Sequence, residues 1–155
     1  MAEAAAGEFE LGTDGPKMIL VGVDNSITSL RAASYAAGLA RRQGAGVTIV
    51  FVAPMASLGA ATPAGAGLAA VEREAASEIA EDMRRRVAEA SAELGISITF
   101  IAVEGDAYTE IRRIADEIRA DAVVVGASTK AGHRLIGSLA VRLVRAGRWP
   151  VTVVP

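Results

Sequence analysis

Apolar positions follow two rhythms along this chain. Met18 to Val23 (MILVGV) is an unbroken apolar run closed by Asp24-Asn25-Ser26. A run that short fits a strand buried on both faces. In SLRAASYAAGLARR the period changes: Leu30, Ala33, Ala37 and Ala40 recur at helical spacing, Ser26, Thr28 or Ser29 can cap the start, and Gly44 stops it. Val47 to Val52 (VTIVFV) is a second buried strand. Strand, helix, strand in this order predicts a right-handed parallel crossover. Pro54 to Gly67 (PMASLGAATPAGAG) is small and proline-bearing and is expected to be a loop. Leu68, Val71, Ala75, Ile79, Met83, Val87, Ala90 and Leu94 then mark one long amphipathic helix ended by Gly95.

The second half repeats the alternation. Ile96, Ile98 and Phe100 alternate with Ser97 and Thr99, so this strand has one solvated face and belongs at a sheet edge. Asp106 or Thr109 caps a helix whose inner face is Ile111, Ile114, Ala115 and Ile118. Ala122 to Val125 is a buried strand and Ala127 to Ile136 a loop. Ser138 to Arg145 reads as a short helix, with Leu139, Leu143 and Ala146 near one face. Val151 to Val154 is the last strand. Five strands alternating with four helices predict a three-layer α/β domain. In such sheets ligands sit beyond the carboxyl ends of the strands. The candidate segments are therefore 24–26, 52–54, 105–107 and 126–138.

Composition narrows the function. Sixteen Lys and Arg against 18 Asp and Glu leave a net charge of −2. No global positive field exists to attract nucleic acid or an anionic membrane. The absence of Cys removes thiol catalysis and Cys-zinc sites, and one His, His133, removes multi-His metal sites. Neither a basic, apolar leader nor a run near the ~20 residues of a membrane span is present, so a soluble, cytoplasmic chain is expected. Residues 1–16 carry Glu3, Glu8, Glu10 and Asp14, are rich in Gly and Ala, and are expected to be a disordered acidic tail ahead of a 17–155 domain.

Phosphate chemistry is the main candidate. There is no Gly-x4-Gly-Lys-Ser/Thr loop and no Gly-x-Ser-x-Gly elbow. Gly65-Ala-Gly-Leu-Ala-Ala lies too far past its strand for a dinucleotide turn. The segment from Gly126 to Ser138 (GASTKAGHRLIGS) runs from a buried strand into a helix. Free helix-start N–H groups, close approach at glycine, and basic Lys130, Arg134, Arg142, Arg145 and Arg148 suit an anion. The same residues also fit a tight packing glycine, an ordinary serine cap and a solvated basic face. Asp24 can equally cap its own turn. His133 lacks a visible acid partner, Trp149 and Tyr35 read as packing residues, and Arg84-Arg85-Arg86 reads as a solvated stripe.

Taken together, ILVGVDNS, VTIVFVAP, VEGDA, ADAVVVGAS, GHRLIGSLAVRLVR and WPVTVVP resemble the universal stress protein family from Met18 to Pro155. The resemblance implies a doubly wound, Rossmann-like five-stranded parallel sheet of order 3-2-1-4-5 and a stress-response role. It also implies a homodimer through the last strand. One branch of the family binds ATP through a Gly-x2-Gly-x9-Gly-Ser/Thr loop, with an Asp after the first strand and a residue ending the second meeting the adenosine. Asp24, Val52, Gly126, Gly137 and Ser138 match that pattern. Thr129 stands where the second glycine belongs, and only seven residues separate it from Gly137. The implied ligand is ATP or another adenine nucleotide, with Mg accompanying phosphate and with Thr129, Lys130 and Arg134 on the phosphate side. The alternative is a dimeric interaction module of the same fold that binds no nucleotide. A hydrolase is the third reading: no nucleophile–base pair is legible, and only weak ATP hydrolysis is left open.

Overall fold

The computed structural model describes residues 15–55, 61–128 and 137–155. Five parallel strands form one sheet in the order β3-β2-β1-β4-β5. They are β1 (Met18–Val23), β2 (Gly46–Ala53), β3 (Ile98–Glu104), β4 (Ala122–Gly126) and β5 (Val151–Val154). Four helices connect them: α1 (Ile27–Gln43), α2 (Pro63–Leu94), α3 (Ala107–Glu117) and α4 (Ser138–Ala146). β1 and β4 sit side by side at the centre, with Ile19 opposite Ala122 and Gly22 opposite Val125. From that seam the chain winds outward both ways, which makes the carboxyl ends of β1 and β4 the topological switch point.

The apolar runs are buried as expected of an inner parallel sheet. Ile19, Leu20, Val21, Val50, Val123 and Val124 are fully enclosed. Because successive residues face opposite sides, they feed two cores. Ile19, Val21, Ile49 and Phe51 pack with Ala32, Ala36, Ala40 and Met83 on the α1/α2 side. Leu20, Val50, Val123 and Val125 pack with Ile111, Ile114, Ala115, Ala140 and Leu143 on the α3/α4 side. β3 is half exposed along its length, as its alternating pattern requires of an edge.

Three expectations need correction. Residues 63–67 are helical, not loop: Thr62 Oγ1 accepts the Gly65 N–H at 3.1 Å and Pro63 takes the first turn, so the helix begins five residues before the periodic stripe. The start of that stripe is not core, since Leu68 and Val71 are 58% and 63% exposed. A 32-residue helix spans about 48 Å, whereas an eight-residue strand spans about 26 Å, so α2 overhangs the sheet. In α1 the buried line is Thr28, Ser29, Ala32, Ala36 and Ala40, rotated from the expected one, and Leu30 is 37% exposed. The smaller stripe lets α1 lie close to the central strands. No described helix is long and apolar enough to cross a membrane.

Truncating Ile114 to Ala is expected to cost about 2–5 kcal/mol in urea unfolding, because the fully buried side chain leaves a cavity. Truncating Leu68, which shares the apolar periodicity but not the burial, is expected to change stability by less than about 0.5 kcal/mol.

Candidate functional site

The carboxyl ends of β1, β2 and β4 and the start of α4 enclose a hollow of about 280 Å³, near the lower end of ligand-sized clefts, about 300–1,000 Å³. Asp24, Ser26 and Ser29 line it after β1, Val52 at the end of β2, and Ala107 at the start of α3. Gly126, Ala127, Ser128, Gly137, Ser138 and Leu139 complete the wall. All four candidate segments therefore reach one place. Thr129, Lys130, His133 and Arg134 lie outside the described residues.

The β1–α1 turn is tightly built. Asp24 Oδ1 accepts the Ser26 N–H at 3.0 Å, an Asx-turn, and Asn25 takes a left-handed φ of 67°. Ser26 is the helix cap, its hydroxyl accepting the Ser29 N–H at 3.2 Å. The Ser29 hydroxyl donates to the Ser26 carbonyl at 2.9 Å. Partial burial pushes the Asp24 carboxyl up, but hydrogen bonds from Ser26 and Ser29 outweigh it and hold it below the ordinary aspartate value. Asp24 is thus a charged acceptor at the mouth of the hollow, already oriented by its neighbours.

Opposite it stands α4, and its amino end differs from the others. Ser26, Thr62 and Asp106 cap α1, α2 and α3 with side-chain oxygens, whereas Gly137 gives α4 no side-chain cap. Among the described residues, no cap side chain takes up the first amides of α4. Ser138, exposed at the first helical position, adds a hydroxyl.

The two glycines have packing reasons of their own. A Cβ on Gly126 would stand 2.5 Å from the Thr28 carbonyl carbon and 2.6 Å from the Ser29 nitrogen. The backbone of α1 lies directly over the end of β4, and Thr28 Oγ1 donates to the Ala127 carbonyl at 2.7 Å. A Cβ on Gly137 would meet the Ser128 Cβ at 2.9 Å. The expected positive field also needs correction. Arg142 reaches Asp106 at 3.2 Å and lies over the Tyr108 ring, and Arg148 reaches Asp116 at 2.9 Å. Both arginines tie α4 and its exit to α3 and its acids instead of facing the hollow. Sequence reasoning included Ser26 and Ala107 as members of candidate segments, took Ser29 only as a cap and read Leu139 as a helix-face residue. A sheet-end position was their sole signal.

No cluster of three or more His, Cys, Asp or Glu suited to a metal occurs among the described residues. Among the described residues, Asp24 is the one carboxylate lining the hollow.

The chain matches the universal stress protein family over residues 16–155. It is 29% identical over 140 residues to a universal stress protein of Methanocaldococcus jannaschii, covering 89% of this chain and 81% of that one. Among solved structures, a universal stress protein of Burkholderia pseudomallei is 29% identical with a TM-score of 0.66, covering 90% of this chain and 96% of that one. UspA of Lactobacillus plantarum superposes with a TM-score of 0.77 at 24% identity, covering 90% and 97%. Two further structures share the fold: a universal stress protein in complex with cAMP, at 24% identity and TM-score 0.63, and an Arabidopsis thaliana family protein with AMP bound, at 17% and 0.58.

Gly126→Ala is expected to lower stability by about 1–3 kcal/mol, since the new methyl meets helix backbone. Gly22→Ala, whose Cβ would press closely on the tip of Ile111 and meet Val125 at ordinary contact distance, is expected to cost less in the same urea titration. Asp24→Asn has a signed pH dependence. The folded carboxyl titrates below its unfolded value of 3.8, so the ionised form stabilises the fold above that value and the contribution fades as pH falls through the folded one. Parent and variant should differ in unfolding midpoint at neutral pH and converge below 3.8.

Proposed function

The chain belongs to the universal stress protein family, and on that premise we propose that it is a cytoplasmic nucleotide-binding module that holds an adenine nucleotide in the hollow between Asp24 and α4. The observation that carries the proposal is the pairing of a charged acceptor with an uncapped helix start across one cleft. Asp24 would accept from ribose hydroxyls or the adenine amino group. Val52 would give the base an apolar contact. The α4 amides, the Ser138 hydroxyl and the backbone about Gly126 and Gly137 would take phosphate, and Thr129, Lys130 and Arg134 are the further phosphate-binding candidates from the sequence. The relatives whose structures contain cAMP or AMP support the choice of an adenine ligand. Asp24 alone makes a poor metal site, so Mg would travel on the phosphates and water of a bound polyphosphate.

A second reading, an interaction module without nucleotide, draws on two observations. Packing already accounts for Gly126 and Gly137, and Arg142 and Arg148 are engaged with α3. Calorimetric titration with AMP, ADP and ATP separates the two. Saturable binding that Asp24→Ala weakens about tenfold or more, the worth of one charge-assisted hydrogen bond, supports the first. Absence of heat with all three nucleotides at millimolar concentration supports the second.

Both readings include a homodimer through β5. The Pro150 and Val154 carbonyls accept from Val123 and Ala127 of β4, so by alternation Thr152 also faces β4, while Val151 and Val153 turn their backbone groups to the open edge. Val153→Pro removes an outward N–H and spares the ladder to β4. Light scattering is expected to give two chains' mass for the parent and one for the variant.

A further inference from the structure

A second and larger concavity, about 620 Å³, runs between α1 and α2. Ile49 and Ile98 lie in its floor, and Leu30, Ala37, Val87 and Leu94 in its walls. Its origin is steric: the facing positions of the two helices include Ala33, Ser34, Gly38 and Ala90, which are too small to fill the gap. Leu30 and Leu94 stay 37% and 39% exposed as a result. Two arginines, Arg41 and Arg86, stand in the lining. Arg86 pairs with Asp82 at 2.8 Å, while Arg41 has no acidic partner among the described residues.

We infer that this groove is the docking site of the chain's own Glu8-Phe9-Glu10-Leu11 segment, with Phe9 and Leu11 in the cleft and the two acids toward Arg41 and Arg86. In an extended strand, alternate side chains share a face, so this tetrapeptide is apolar on one side and acidic on the other. Charge is complementary: four acids and no base precede Lys17. Continuity also favours it. Gly15 lies against the Gln43 side chain in the last turn of α1, two residues beyond Arg41. Leu11 and Phe9 are four and six residues before Gly15, a reach of about 13 and 20 Å. Along α1 the groove from Arg41 to Leu30 is about 16 Å long, so both anchors fall within it. The tether holds the segment beside the groove at roughly millimolar effective concentration.

The natural absence of cysteine makes the test clean. In the full chain, Phe9→Cys with Ala90→Cys is expected to form an intramolecular disulfide at least about tenfold faster than Phe9→Cys with Arg112→Cys, whose second site is on α3, by the effective-concentration argument. Adding Arg41→Glu should slow the first pair several-fold and leave the second unchanged. A chain lacking residues 1–14 should bind decanoate, a probe for a free apolar acid, more tightly than the full chain. Equal rates for the two pairs would overturn the inference. So would disulfide-linked dimers as the main product, which assign the groove to a second copy, or equal decanoate binding by both chains, which leaves it open to an outside ligand.

Discussion

The seating of α1 on the end of β4 is the contact from which the rest of the domain takes its geometry. The Thr28–Ser29 backbone lies so close to Gly126 that a methyl cannot enter, and the Thr28 hydroxyl closes the contact by donating to the Ala127 carbonyl. That hydrogen bond is partly buried and spans 99 residues of sequence, joining the first half of the chain to the second where the winding reverses. Once it forms, the Asp24 turn, the start of α1 and the exit of β4 have one arrangement. The hollow is the space left beside them. Stability and site geometry thus rest on the same few atoms, so a glycine that looks like a ligand signal is also a packing necessity.

Much of this was legible in the residues, for reasons that can be named. Buried parallel strands need unbroken apolar runs, and MILVGV, VTIVFV and AVVV supply them with little competing periodicity. The edge position of β3 follows from Ser97 and Thr99 interrupting its apolar residues. Asp106 and Ser26 are caps by chemistry alone. What was misread depends on distance in space. Leu68 and Val71 keep perfect period with Met83, yet the sheet ends before it reaches them. Leu30 outranks Ala32 in hydrophobicity, but only an alanine line lets the helix axis come down on β4. Sequence periodicity reports that a face exists; the length of the opposing surface decides how much of it is covered.

The charges show the same limit. After Asp121 the sequence contains bases and no acid, and a linear reading sums them into one positive field. Folding places α4 beside α3, whose Asp106 and Asp116 lie earlier in the chain, and two of the arginines are taken up there. These pairs are exposed and individually worth little, with Arg142 over Tyr108 adding a modest cation–π contribution. Their consequence is directional. They fix α4 against α3 and remove two mobile cations from the neighbourhood of the hollow.

What then makes the α4 end suited to an anion is backbone. Three helices satisfy an amino-terminal N–H with their own cap residues, and the fourth presents glycine where the others present an oxygen. A side-chain oxygen at Gly137 would compete with any incoming phosphate for the same amides, and its Cβ would press on Ser128. Leaving that position bare costs the helix some stability, because a glycine cap supplies no side-chain acceptor. α4 is held from its other sides instead, through buried Leu143 and Ala140 in the α3/α4 core and through Arg142 to Asp106. A helix anchored by its flank does not depend on a side-chain cap at its start, and Gly137 supplies none.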